Sequence, residues 1–541
     1  MSDTATDPVQ TLVQAWLEEE MAEAPTRATA LGVPGYDDEL GQFDDRDFER
    51  RAASARAWAE RFMAADVSTV GPGSIVDREL VLSALRGRIV MQDWEAHRCD
   101  PAVYLDPCLS GVFNLFLHRL RPAAELARSA ASRLRQVPVV MDAAMAQIDP
   151  ARLSPVLRDR ALGQCRAAAV YARDLLPAEV AEEDGRAQVA EAGGVAAEAF
   201  SRFAAHLEGL EPAGEFAIGE ARYSALLRER EMLGYGAGEL HDKGRRAWSD
   251  LDRRMGEVAR RMGHDSWRGA LDTVNDRHPA TPDEMLDGYR QATARCREFL
   301  ARTGLVTLPD GEECLVVPSP AFQRPVLAVA SYAAPAAFSG ARTGHFFVPY
   351  PPEGTSPEAL AQRLATNSFA SMATISAHEA YPGHHWHLVW SQMHAPRVRS
   401  VVRTPYFSEG WGLFAEHVMG EAGFFADDAE WLSHLDARIF RAARIVVDTA
   451  LHTGEMTFDQ AVDHMHSHTG LSRETARAEV VRYCAWPTQA PSYLTGALEL
   501  ERLRDRWVDE KRGDRVSFND AVAATGSLPL GLAEKALFET A

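Results

Sequence analysis

No run of apolar residues in this 541-residue chain approaches the ~20 that a helix needs to cross a bilayer, so no helical membrane span is expected. The opening Met1-Ser2-Asp3-Thr4-Ala5-Thr6-Asp7-Pro8 has neither the basic nor the apolar stretch of a secretory signal. Cysteine is scarce: Cys99, Cys108, Cys165, Cys296, Cys314 and Cys484 are scattered, with no pair at the spacing of a metal knuckle or a disulfide framework. A reduced, cytoplasmic protein is the simplest expectation. Positive charge is in deficit, 57 Lys and Arg against 78 Asp and Glu, giving a net charge of −21. Nucleic acid and anionic membrane surfaces would repel such a chain at long range, so neither is expected as a partner. Internal repeats are absent, and nothing in the sequence fixes an oligomeric state.

Strand-forming material is also sparse. Two short runs, Cys314-Leu315-Val316-Val317-Pro318 and Gly344-His345-Phe346-Phe347-Val348-Pro349, predict a small sheet ahead of the histidine-rich segment. Its edge could hold an extended substrate by main-chain hydrogen bonds, or be a purely structural ribbon. Elsewhere apolar residues recur at helical spacing, as at Leu12, Ala15, Trp16 and Met21, or Leu80, Leu82, Leu85 and Ile89. Breaks fall at Leu31-Gly32-Val33-Pro34-Gly35, Gly71-Pro72-Gly73 and Leu210-Glu211-Pro212-Ala213-Gly214. The last separates an N-terminal helical region, 1–215, from a C-terminal region with the metal motif, 216–541, within what is expected to be one continuous, mainly α fold.

Chemistry concentrates at His378-Glu379-Ala380-Tyr381-Pro382-Gly383-His384-His385, with Ser408-Glu409-Gly410-Trp411 beginning 24 residues after His384. Ser356-Pro357-Glu358 has the cap and first-turn proline of a helix start, and a helix around Phe369 to Tyr381 can carry His378 and Glu379. Thr404-Pro405 repeats that signature before Glu409. Two imidazoles and a downstream carboxylate are the ligand set of a hydrolytic zinc site, and a glutamate beside the first ligand can deprotonate water at the open position.

The commonest zinc-hydrolase helix spaces its histidines four residues apart. Here Pro382 stands at that position, and its ring and missing N–H should end or kink the helix at Tyr381. On a straight helix His385 would share the His378 face, but seven residues rise ~10.5 Å, too far for one ion. The Pro-Gly break must redirect the chain, with Gly383 expected in a backbone angle that other residues avoid. His384 is favoured as second ligand, His385 is its rival, and Glu409 is the third. Glu416, near the same face as Glu409, could orient a ligand, bind a substrate amine, or be a solvated helix carboxylate.

These residues carry a resemblance. The chain is similar to a large bacterial family, domain of unknown function 885, marked by His-Glu-x-x-Pro-Gly-His-His and usually grouped with gluzincin-type zinc peptidases. The similarity runs nearly full length, through Leu31-Gly32 with Tyr36-Asp37, Arg441 to His452, and Glu479-Val480-Val481-Arg482-Tyr483 continuing to Tyr493. Ser408 to Glu416 also resembles the Asn-Glu-Gly-Phe helix of zinc aminopeptidases, which supports Glu409 rather than Glu416 as ligand. The resemblance implies a large helical gluzincin-like architecture with a small sheet near the active site. It further implies an enclosed site for a short peptide or small amide, and it brings Arg482 among the candidate site residues. Two positions depart from the family: His387, where Gln is typical, and Thr488, where Gly is typical.

Around the ion, the Tyr493 phenol could donate to the oxyanion of a tetrahedral intermediate, or be a core tyrosine. Arg444, Asp448 and His452 share one helix face at four-residue steps. Asp448 and His452 could orient each other or meet substrate. Arg444 could grip a substrate carboxylate, although pairing with a structural acid is the favoured reading. His464, His466 and His468 are expected to face solvent, because two-residue steps turn consecutive rings about 200° apart. The leading expectation is a zinc-dependent hydrolase with one Zn2+, Glu379 as general base and Tyr493 as oxyanion donor. Fe2+ or another divalent metal is the alternative occupant, in a non-haem iron(II) enzyme with the same ligands. A catalytically inactive helical binding scaffold is the third reading.

Overall fold

The computed structural model describes residues 7–320, 323–324 and 329–539. Residues 1–6, on which part of the signal-free reading falls, lie outside these. Among the described residues the fold is mainly helical, from α1 (Pro8–Glu23) to α23 (Leu530–Phe538), with one three-stranded sheet. No helix among the described residues is long and apolar enough to cross a membrane. All six cysteines are free. The chain divides into two compact units, Met1–Ile218 with Ala336–Ala341, and Gly219–Pro335 with Arg342–Ala541. The excursion of 336–341 into the first unit has no counterpart in the sequence-based division at 215.

In the first unit, helix α2 (Pro25–Leu31) stops at Gly32, where φ is +86° and an added Cβ would lie 3.2 Å from the Ala336 Cβ. Conformation and space both call for glycine there. The following loop is fastened by Arg133 of α6 (Ala123–Gln147), which is fully buried. Its guanidinium donates to the Tyr36 carbonyl at 2.9 Å, the Glu39 carbonyl at 3.0 Å and the Thr29 hydroxyl at 2.7 Å.

The second unit holds the sheet, β1 (Glu313–Pro318), β2 (Ser331–Ala333) and β3 (Thr343–Val348), in the order β1-β3-β2. β1 runs parallel to β3, with Glu313 opposite Thr343, and β2 pairs antiparallel on the other side, with Tyr332 opposite Phe346. The two longer strands match the predicted runs. β2 spans three residues, too few for any periodicity to announce it.

Around the candidate site stand α12 (Pro282–Thr303), α14 (Phe369–Glu379), α15 (His384–His394), α17 (Pro405–Glu421), α18 (Asp428–Thr453), α20 (Arg473–Ala485) and α21 (Ser492–Asp509). Their starts are set by local chemistry: Ser368 accepts from the Ser371 N–H, and Thr404 from the Tyr406 N–H. α18 is buried on every side from Ala442 to His452, as an apolar central helix should be. Burial of its Ile445, Val447 and Leu451 contributes about 1.5–3 kcal/mol each. α17 and α21 touch backbone to backbone, since a Cβ on Gly410 would come within 2.5 Å of the Gly496 Cα. That close approach brings Tyr493 beside the helix that carries Glu409.

Candidate metal centre

α14 ends at Glu379, the chain turns through Tyr381-Pro382-Gly383, and α15 begins at His384. The Trp411 indole of α17 donates to the Pro382 carbonyl at 2.8 Å and holds the turn. Gly383 has φ −70° and ψ −135°, a pair outside the common helical and extended ranges, in line with the expected unusual backbone angle. Space requires glycine as well: a Cβ there would lie 1.8 Å from the His378 carbonyl oxygen.

The turn folds His384 back against His378, with ring centroids 4.8 Å apart and planes at 85°. A Glu409 Oε2 lies 3.6 Å from His378 Nε2 and 3.4 Å from His384 Nε2. One ligand atom from each residue falls within 4.8 Å of the others. The edge of a tetrahedral site with ~2.1 Å bonds is about 3.4 Å, so this donor set fits one divalent cation. Among the described residues no other group of three His, Cys, Asp or Glu side chains converges in this way. The Glu379 carboxylate makes no hydrogen bond among the described residues.

Glu416 is no surface carboxylate. It is 2% exposed; Oε1 meets His378 Nδ1 at 2.7 Å, while Oε2 accepts from the Thr374 hydroxyl at 2.7 Å and lies 3.2 Å from His434 Nδ1. This contact fixes a proton on His378 Nδ1 and leaves Nε2 as the nitrogen that faces Glu409 and can bind a metal. Between the two glutamates on α17, Gly412 leaves room for the imidazole, since a Cβ there would sit 2.4 Å from His378 Cε1.

Electrostatics follow from this crowding. Burial works against charge on His378, but the bonds to Glu409 and Glu416 prevail and push its pKa up to about 10. Burial likewise opposes ionisation of Glu409 and Glu416, yet their histidine partners hold both well below the ordinary carboxylate range. Glu379 goes the other way, because burial outweighs the pull of His378 and His384 and raises its pKa. Without metal, then, Glu409 and Glu416 share a protonated His378 between them.

The Tyr493 ring lies 6.4 Å from the His378 ring, nearly parallel to it, and its hydroxyl makes no hydrogen bond among the described residues. His385, the rival ligand, belongs elsewhere. It is fully buried, with Nε2 2.6 Å from Glu312 Oε2 and Nδ1 2.9 Å from the Tyr332 hydroxyl. Tyr381 donates to the same Glu312 oxygen at 2.6 Å, and Arg297 pairs with the other at 3.2 Å. Arg444 and Arg482 both bind Glu479, at 2.9 and 3.0 Å. Asp448 and His452 are engaged with other groups: Asp448 accepts from the Tyr223 hydroxyl at 2.5 Å and the Thr488 N–H at 3.1 Å, and His452 Nε2 meets the Tyr483 carbonyl at 3.0 Å.

His387 lies outside the ligand group. It is fully buried, stacked on Phe407 and close to Trp411, and burial pulls its pKa down to about 3. Thr488 has φ +69°, a conformation that favours glycine. His466 is exposed, whereas His464 and His468 are partly exposed and stack at 3.9 Å on the helix Phe458–His468. Glu312, Thr374, His434 and Arg441 were not singled out from sequence. Thr374 lies one helical turn before His378, which is the only local signal any of them offered.

The chain belongs to a family of bacterial proteins of unknown function, DUF885, whose model matches residues 25–537. Its fold is similar to that of a protein from Shewanella oneidensis described as "a putative lipoprotein of unknown function", with TM-score 0.80 and 20% identity over 98% of this chain and 99% of that one. It is also similar to "the putative lipoprotein from Colwellia psychrerythraea", with TM-score 0.77 and 17% identity over 99% of each chain. No curated protein matches the chain.

Proposed function

We propose that this protein is a zinc-dependent, gluzincin-like hydrolase that cleaves an amide or peptide bond in a short peptide or small amide. The observation that carries the reading is the convergence of His378, His384 and Glu409 beside a Glu379 carboxylate with no hydrogen bond among the described residues. A zinc ion held by those three residues would polarise the amide carbonyl and supply a nucleophile at neutral pH. Glu379 takes a proton from the attacking water and returns it to the departing nitrogen, and a raised pKa suits both halves of that transfer. Tyr493 donates its hydroxyl to the oxyanion. Glu416 keeps His378 in the tautomer that offers Nε2. An oxygenase using the same ligands has no task for Glu379.

The test compares zinc-loaded wild type with Glu379→Gln on a library of short peptides and acyl amides. Turnover should fall about 10²–10⁴-fold with zinc content unchanged, and an active mutant would remove Glu379 from the mechanism. The description of both structural relatives as lipoproteins makes the cell envelope the alternative to a cytoplasmic location, and cell fractionation separates the two.

A further inference from the structure

Surplus positive charge lies one aromatic ring away from the candidate metal centre. Tyr493, whose ring is near His378, also carries two guanidinium groups, with Arg444 Cζ 4.8 Å and Arg441 Cζ 5.7 Å from its centroid. Arg444 is 6% exposed. Its Nη2 and Nε are taken by Glu479 and the Tyr483 hydroxyl, but Nη1 is buried with no hydrogen-bond partner among the described residues. Arg441 has no ion pair there: its one hydrogen bond runs from Nη1 to the Ala437 carbonyl of its own helix at 3.2 Å, and Nε is buried and unbonded.

Three residues apart on α18, Arg441 and Arg444 project from the same side. Arg482 adds a third cation, yet among the described residues the only carboxylate paired with this group is Glu479, shared by Arg444 and Arg482. Arg441 is partly buried with no ion pair among the described residues, and guanidinium N–H groups match a carboxylate in fork geometry.

We infer that Arg441 and the free Nη1 of Arg444 bind the C-terminal carboxylate of the substrate, which makes the site an exopeptidase centre for peptides or N-acyl amino acids. The assignment rests on the hydrolase reading above. In such a substrate the carboxylate lies only a few bonds, roughly 4 Å, beyond the scissile carbonyl, which suits an anion site one ring from the ligand histidine. Were Arg441 merely a neutralising partner for Glu379, its loss would affect all substrates alike.

Calorimetric binding to the full-length, zinc-loaded protein tests this independently of turnover, with 3-benzoylpropanoic acid, which carries CH2 in place of the scissile nitrogen, and its primary amide as probes. The acid should bind at least tenfold more tightly, Arg441→Met should reduce acid affinity to that of the amide, and Arg441→Lys should restore part of the difference. Melting temperatures identify any variant that fails to fold, and the acid-to-amide comparison on wild type stands without variants. Equal binding of acid and amide, or acid selectivity that survives in Arg441→Met, overturns the assignment. A C-terminally amidated peptide with a glutamate side chain should not replace the free acid; if it does, the C-terminal assignment is wrong. Arg441-dependent acid binding without cleavage of any peptide would uphold the anion site while refuting the hydrolase.

Discussion

Replacing Glu416 with alanine removes the acceptor that orients His378. In the wild type Oε1 meets His378 Nδ1 at 2.7 Å, and Oε2 accepts from Thr374 at 2.7 Å. At 2% exposure, bulk water cannot take over either contact. A buried donor left unsatisfied costs about 1–3 kcal/mol, so two set a loss of about 2–6 kcal/mol for the metal-free protein. Glu416→Gln is the gentler change, keeping the shape and one acceptor but not the charge. Loss of a histidine's orienting partner typically weakens metal binding 10–100-fold, or about 1.4–2.7 kcal/mol. Zinc affinity, measured by competition with a chelator beside the metal-free melting temperature, reads both effects. A zinc Kd unchanged in both variants would refute the claim that Glu416 prepares His378 for metal.

Thr488→Gly should raise the melting temperature, because a β-branched residue at φ +69° carries about 1–2 kcal/mol of strain against up to ~1 kcal/mol for the extra chain freedom of glycine; a lower melting temperature would mean that the buried threonine side chain contributes more than its backbone costs. Stability of the metal-free protein should fall on both sides of a plateau. His378, raised from 6.5 to about 10, stabilises fully below pH 6.5 and loses that contribution as pH rises through about 10. Glu409 and Glu416, depressed from 4.5, contribute above pH 4.5 and lose it as pH falls through their folded values. Zinc binding at pH 7 should expel the His378 proton, visible as a buffer-dependent calorimetric heat. A metal-free melting temperature that climbs from pH 7 to 10 would contradict this.

Much of this arrangement could be read from local chemistry. The Thr404-Pro405 cap starts α17 where expected, and Pro382 ends α14 just short of Tyr381, at Glu379. Helical spacing likewise put Glu409 and Glu416 near one face. What local patterns could not convey was tertiary. Glu416 is indistinguishable in sequence from a solvated carboxylate until α14 and α18 cover it with Thr374 and His434. Choosing between His384 and His385 needed Glu312, more than 60 residues upstream on the approach to β1, which engages His385. Gly383 could be read as a residue needing backbone freedom, but not as one where a neighbouring carbonyl also leaves no room for a Cβ. Arg444 and Arg482 looked like separate candidates until Glu479 joined them.

Zinc-edge anomalous diffraction from crystals of the metal-loaded protein tests the central claim most directly. One peak should lie about 2.1 Å from His378 Nε2, His384 Nε2 and a Glu409 carboxylate oxygen, with His385 still bound to Glu312. A metal held by other residues, or no peak among these three, would contradict the account.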